Sequence, residues 1–149
     1  MTTTSPQVPL PLIEFDNEEY WKGCKEHKLL LQRCANCKAF RHPPRPMCPH
    51  CNSMEKEYVP SSGKGTIYSH TMVRRPTHPA FAEKIPYNVI LVELEEGVRI
   101  FSNLVDAGEE ALKIGTPVGV FFEDVSEDIA LPKFKVASST QSDRKEKVG

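Results

Sequence analysis

The 149-residue sequence contains no run of about eighteen apolar residues, so it offers no candidate membrane-spanning helix. Nor does it carry an excess of either charge: 19 lysines and arginines face 20 aspartates and glutamates, for a formal net charge of −1. That balance gives no global attraction to phosphate, the usual mark of a nucleic-acid-binding domain. The opening MTTTSPQVPLPLIEF lacks the basic start and long apolar run of a secretory signal. A disulfide framework is also missing, because the five cysteines are odd in number and four of them fall in two tight pairs. A reducing, cytoplasmic setting is the expectation, with no membrane partner. No internal repeat is visible, and this length suits one medium domain or two small ones.

The most specific feature present is the double pair Cys34-Ala35-Asn36-Cys37 and Cys48-Pro49-His50-Cys51, separated by ten residues. A Cys-x-x-Cys turn brings two thiolates within reach of one metal ion, and two such turns complete a tetrahedron. Cys34, Cys37, Cys48 and Cys51 would leave no open position, so the expected group is structural zinc, with rubredoxin-type iron as the competing occupant. A ribbon of about thirty residues buries too little apolar surface to fold alone, and metal ligation supplies the missing free energy. Cys24 is left over and reads as a buried small hydrophobe.

Four segments are expected: an extended arm over 1–14, a helix and zinc ribbon over 15–60, a barrel over 61–137 and a disordered tail over 138–149. Asp16 followed by Glu19 forms a capping-box pattern, and Tyr20, Trp21, Cys24 and His27 give the helix an apolar stripe. Short strands are predicted at Leu29–Leu31 and Lys56–Tyr58, on either side of the cysteine turns. Beyond Gly63 and Gly65, β-branched and aromatic runs predict strands at 66–73, 87–94, 98–105, 118–122 and 131–136, with a short helix at 107–113. Five strands with a helix between the third and fourth is the layout of an OB-fold barrel. The expected fold is therefore mainly β: an N-terminal helix with a rubredoxin-like zinc ribbon, then a five-stranded OB-fold barrel. Tyr68, Phe101 and Phe121 are expected to fill its interior.

These elements come with the stretches His42-Pro-Pro-Arg45, Gly63-Lys-Gly-Thr-Ile-Tyr-Ser69, Pro86-Tyr87, Gly115-Thr-Pro-Val118 and Leu131-Pro-Lys-Phe134. Together with the cysteine pairs, and in this order, they resemble the zinc-ribbon/OB-fold family of acyl-CoA-associated proteins, over about residues 15–137. The resemblance implies a non-catalytic accessory subunit of a thiolase-type acyltransferase complex. Such a subunit would dock on a thiolase-like catalytic chain as a hetero-oligomer and help shape the entrance for coenzyme A or acyl-CoA. The same resemblance implies, as the alternative, partnership with a lipid-transfer-protein-like aldolase or hydratase.

The residues agree with a non-catalytic role, since no nucleophile stands with a base and oxyanion donors. The long loop 74–86 supplies candidate contacts to coenzyme A or to the partner: Arg74, Arg75, His78 and Phe81. Guanidinium groups match phosphate geometry, and Phe81 offers a face for adenine. A coenzyme A thioester would then be bound jointly with the partner. Single-stranded nucleic-acid binding is the remaining alternative for an OB-fold, with the near-neutral charge against it.

Overall fold

The computed structural model describes residues 9–137. The first eight residues of the expected arm and the whole expected tail, 138–149, lie outside the described residues.

Helix α1 spans Glu18–Lys25, with Glu18 and Glu19 in its first turn and Lys22 and Lys25 in its last. That order of charge complements the helix dipole. The expected capping box does not form. Asn17 takes the N-cap position, and its side chain turns away from the helix to tie down the arm. Its Oδ1 accepts the Glu14 amide at 2.7 Å and its Nδ2 donates to the Leu12 carbonyl at 3.2 Å. Asp16 offers only its backbone carbonyl, which accepts from the Tyr58 hydroxyl at 3.2 Å. The apolar stripe also ends sooner than the periodicity suggests. His27 lies beyond the helix at φ 62°, its amide bonded to the Cys24 carbonyl while that of Lys28 reaches Gly23. Those two bonds are the Schellman arrangement, so His27 occupies the left-handed position that stops the helix.

The ribbon is a three-stranded antiparallel sheet with β1 (Leu30–Cys34) between β2 (Phe40–Arg41) and β3 (Lys56–Pro60). Leu31 and Gln32 are buried. Gln32 meets its polar needs by accepting the Arg45 amide at 2.7 Å and donating to the Tyr58 hydroxyl at 3.2 Å.

Five further strands form the barrel: β4 (Lys64–Val73), β5 (Tyr87–Leu94), β6 (Arg99–Ser102), β7 (Pro117–Asp124) and β8 (Ala130–Val136). Their order is β6-β5-β4-β7-β8. A parallel bridge between Leu104 and Phe134 brings the two ends of this curled OB-fold sheet together. It is held by Val105 N to Phe134 O at 2.9 Å and Phe134 N to Asn103 O at 3.1 Å. The interior is aliphatic apart from Phe134, with Ile67, Ile90, Val92, Ile100 and Val118 around it.

Two expectations fail here. Tyr68 and Phe101 stand outside, 44% and 73% exposed, and Phe121 is only half-buried between Val120 and Phe122, which pack against the core. Strand alternation puts Tyr68 opposite in sense to buried Ile67 and Phe101 opposite to buried Ile100. The helix expected at 107–113 is a single 3₁₀ turn, Glu109–Ala111. Gly108 is extended at ψ 179° and Leu112 leaves the helical region at ψ 76°, so only one turn closes between them.

The apolar core runs unbroken from Tyr20, Cys24, Leu29 and Leu31 into the barrel. Two polar clasps accompany it. Glu96 accepts the Ser61 hydroxyl and the Ser62 amide, both at 3.0 Å, and Glu95 accepts the Ser62 hydroxyl at 2.8 Å. On the other side His27 Nε2 meets Asp124 at 3.0 Å, and the His27 ring stacks on Phe122 with centroids 5.5 Å apart.

Candidate metal centre and ligand cavity

The two cysteine turns have the same local construction. Cys34 N donates to the Ala39 carbonyl and Cys48 N to that of Ser53, each at 2.9 Å. Lys38 N returns to the Cys34 carbonyl and Asn52 N to that of Cys48, again at 2.9 Å. Lys38 and Asn52 both adopt positive φ, 65° and 62°, which reverses the chain behind each cysteine pair. The turns face one another. Cys34 and Cys51 sulfurs are 3.5 Å apart, those of Cys37 and Cys48 are 3.6 Å apart, and all four lie within 4.8 Å of one another. A tetrahedron with metal–sulfur bonds of about 2.3 Å requires sulfur separations of about 3.8 Å, so the cluster fits zinc closely. Among the described residues this is the sole such gathering of metal-ligating groups, and His42 and His50 take no part in it.

Amide hydrogen bonds prepare the sulfurs for negative charge. Cys37 N points at Cys34 Sγ and His50 N at Cys48 Sγ, both at 3.4 Å. The Cys34 thiol is drawn down to about 6, chiefly by the Cys37 amide and further by that of Asn36 and the adjacent sulfurs. Cys48 is drawn below its ordinary value by the Cys51 amide first and that of His50 next. At Cys37 the Ala39 amide also pulls downward, yet burial and three neighbouring sulfurs carry the thiol up to about 11. Four sulfurs this close cannot all ionise without a cation among them. Cys24 is different in kind. Burial pushes it up to about 12, Tyr20 is its polar neighbour, and His27 has turned away to Asp124. It offers no nucleophile.

A cavity of about 1040 Å³ opens on the barrel, with Met72, Phe81, Tyr87, Leu104 and Leu112 among its apolar walls. Of the four loop residues singled out from the sequence, only Phe81 lines it. Phe81 leans on Tyr87 with ring centroids 5.5 Å apart, and Lys84 Nζ sits 5.9 Å from its ring centre. Arg74 stands 3.9 Å from Glu109, a residue of the cavity wall. His78 caps the 3₁₀ turn Pro79–Phe81, its Nδ1 accepting the Ala80 amide at 3.0 Å. Arg75 is exposed and does not join the others.

The polar groups that do converge come from four separate places: Lys84, Asn88, Asn103 and Lys133. Lys133 Nζ donates to Asn103 Oδ1 at 2.5 Å, and Asn103 Nδ2 donates to the Asn88 carbonyl at 2.5 Å. Asn88 in turn receives the Leu104 amide at 2.7 Å and donates to its carbonyl at 2.8 Å. Burial lowers the Lys133 amine below its ordinary value, Lys84 acts in the same sense, and Glu123 opposes them. The sequence held one trace of this network: Asn88 and Asn103 each interrupt an otherwise apolar strand run.

Comparison with known proteins places this architecture. Residues 21–56 match the family model described as "ChsH2, rubredoxin-like zinc ribbon domain", and residues 58–123 match "ChsH2, C-terminal OB-fold domain". A DUF35 domain-containing scaffold protein of Methanocaldococcus jannaschii is 36% identical over 110 residues, covering 72% of this chain and 77% of the relative. The chain belongs to the DUF35 family. A probable enoyl-CoA hydratase alpha subunit of Thermomonospora curvata is 42% identical over 129 residues, or 87% of this DUF35 chain. The match takes up 40% of that subunit, so this chain spans about two fifths of its length. Among solved structures, a chain of the Ltp2-ChsH2(DUF35) aldolase superposes with a TM-score of 0.78 at 41% identity, covering 87% of this chain and all of that one.

Proposed function

We propose that this DUF35 protein is a non-catalytic subunit that docks on an aldolase- or hydratase-type chain acting on acyl-CoA thioesters in the cytoplasm. The likeness to the chain of the Ltp2-ChsH2(DUF35) aldolase carries this reading. With the hydratase subunit, it favours such a partner over the thiolase-type chain that the sequence suggested. The described residues support the non-catalytic part: Cys24 is sealed in the core, and the other four thiols stand together as one metal-ligand set.

In this reading, Cys34, Cys37, Cys48 and Cys51 hold a structural zinc within a helix–ribbon unit, 15–60, joined to a barrel unit, 61–137. Zinc supplies folding free energy and carries no step of the reaction. On this reading a partner's active-site mouth would meet the barrel at the large cavity. Phe81 presents an aromatic face, and Lys84 and Lys133 present amines suited to phosphate or thioester oxygens. Arg74, 3.9 Å from Glu109 of the cavity wall, would be the loop arginine nearest to a diphosphate that projects from the cavity.

Co-expression with an aldolase or hydratase chain from the same organism tests the reading. The two chains should co-elute at fixed stoichiometry, and thioester turnover should rise with this protein present. Separate elution together with unchanged turnover would reject it.

A further inference from the structure

A second groove, of about 380 Å³, runs between α1 with the His42–Pro44 turn on one side and strands β6 and β8 on the other. Three observations distinguish it from a plain surface cleft.

The first is an open strand edge. β6 pairs with β5 alone. The bond from Leu94 N to Val98 O, at 2.9 Å, sets the phase of that ladder. Along the register Val92–Ile100 and Ile90–Ser102 are then the bonded pairs. Alternation leaves the amides and carbonyls of Arg99 and Phe101 facing away from β5. Neither residue has a backbone bond outside the ladder among the described residues.

The second is what stands opposite. β8 places Pro132 in the groove wall, and proline has no amide to offer β6. Its carbonyl is taken by the Ser102 hydroxyl at 2.7 Å, so the seam is stitched there by a side chain. Backbone closure comes only further on, at Leu104 and Phe134.

The third is the chemistry of the lining. Phe101 is 73% exposed, and it shares the groove with Trp21, Pro43 and Pro44. Lys133 is the one charged side chain that lines the groove among the described residues. An open edge of this kind is a template for another strand, and natural sheets usually blunt theirs with charge, proline or a covering element.

We propose that this groove receives an extended segment of the catalytic partner, which adds as a strand along the Phe101 edge of β6. An apolar side chain of that segment packs between Trp21 and Phe101, and its main chain bonds the free amides and carbonyls of Arg99 and Phe101. The proposal takes its partner from the proposed function and rests on that reading. Main-chain bonds at strand spacing, with pockets for alternate side chains, are the signature of polypeptide recognition. A nucleic acid would need a row of cations, and the groove has a single one.

The test uses the assembled complex, with a photo-crosslinking phenylalanine analogue replacing either Phe101 or Ile114. Ile114, 74% exposed, is not a groove residue and serves as the control. The groove position should crosslink to one short partner segment, and the amides of 99–101 should gain hydrogen-exchange protection on assembly. Phe101→Asp should weaken the complex by about tenfold or more, while its own melting temperature stays unchanged. A complex that crosslinks only from position 114, or leaves those amides unprotected, overturns the strand-addition proposal and leaves the accessory-subunit reading standing. Failure of any complex to form removes both.

Discussion

The ribbon and the barrel are held together by different means. Inside the barrel, Ile67, Ile90, Val92, Ile100, Val118 and Phe134 are almost wholly removed from water and pack on one another. The helix and ribbon contribute Tyr20, Cys24, Leu29 and Leu31 to that core, with Trp21, Phe40 and Tyr58 packed against it, while the cysteine turns gather sulfur. Gln32, Tyr58 and Arg45 hold the ribbon strands by hydrogen bonds, and the buried Arg41 guanidinium makes a single one among the described residues, to the Arg45 carbonyl at 3.0 Å. Hydrophobic burial is additive and tolerant of local damage, whereas a four-ligand site depends on every ligand. The two regions should therefore respond very differently to comparable insults.

The largest expected effect follows from that difference. Zinc in comparable peptide sites binds with an apparent free energy of about 10–16 kcal/mol, much of which appears as folding. Chelation, or Cys34→Ser, should abolish hydrogen-exchange protection through β1 to β3 while protection in β4, β5 and β7 persists. Loss of the barrel signal at the same chelator concentration would show that the shared core makes the two regions one cooperative unit. Phe134→Ala attacks the other side of the comparison. A buried phenylalanine truncated to alanine costs about 3–5 kcal/mol, and here it also removes a side chain at the strand that closes the sheet. Denaturant unfolding should show that loss, while metal content stays at one equivalent.

The next effect is smaller and depends on pH. Burial holds the His42 imidazole down to about 4, beside Tyr20 with ring centroids 5.2 Å apart. A base whose folded pKa is depressed contributes no penalty above its unfolded value near 6.5. As pH falls from about 6.5 to about 4 the unfolded chain takes a proton that the folded chain refuses, so stability drops through that window and levels below it. The full drop is about 3 kcal/mol. Proton NMR should find the His42 ring neutral at pH 5, and His42→Gln should flatten the stability profile between pH 6.5 and 4. A His42 midpoint near 6.5 would contradict this burial.

How much of this could be read in advance also divides along the same line. The ribbon was legible because cysteine spacing encodes a ligand set without reference to the rest of the chain. The barrel strands were legible by their alternation, yet their facing was not. The bulge between Ile67 and Ser69 is set by pairing with β5 and breaks the alternation along β4, and Tyr68 lies on the solvent side, where Arg99 is 3.7 Å over its ring. The helix cap failed for a similar reason: Asn17 is recruited by Leu12 and Glu14, a contact that propensity does not encode. Among the site residues, Arg74, Arg75 and His78 are neighbours in sequence but not in purpose. Lys84, Asn88, Asn103 and Lys133 meet only because the sheet curls, so no linear motif could announce them.

The clasp at His27 gives the smallest and most discriminating test of how the two regions are joined. Its side chain and that of Asp124 are 51% and 64% exposed, so their contact is worth about 0–1 kcal/mol. The backbone at φ 62° works in the opposite direction, since a non-glycine residue in the left-handed region costs about 1–2 kcal/mol. His27→Ala removes the ring from Phe122 and Asp124 and keeps the backbone cost. His27→Gly removes the same contacts and relieves that cost. The glycine variant should therefore be the more stable of the two by about 1 kcal/mol, a difference of roughly 2–4 °C in melting temperature for a chain of this size. Equal melting temperatures would mean that the Schellman turn is not held in solution. If the alanine variant matches the parent protein, the clasp contributes nothing, and the joint rests on the shared core and on the Glu95–Glu96 grip of the linker serines.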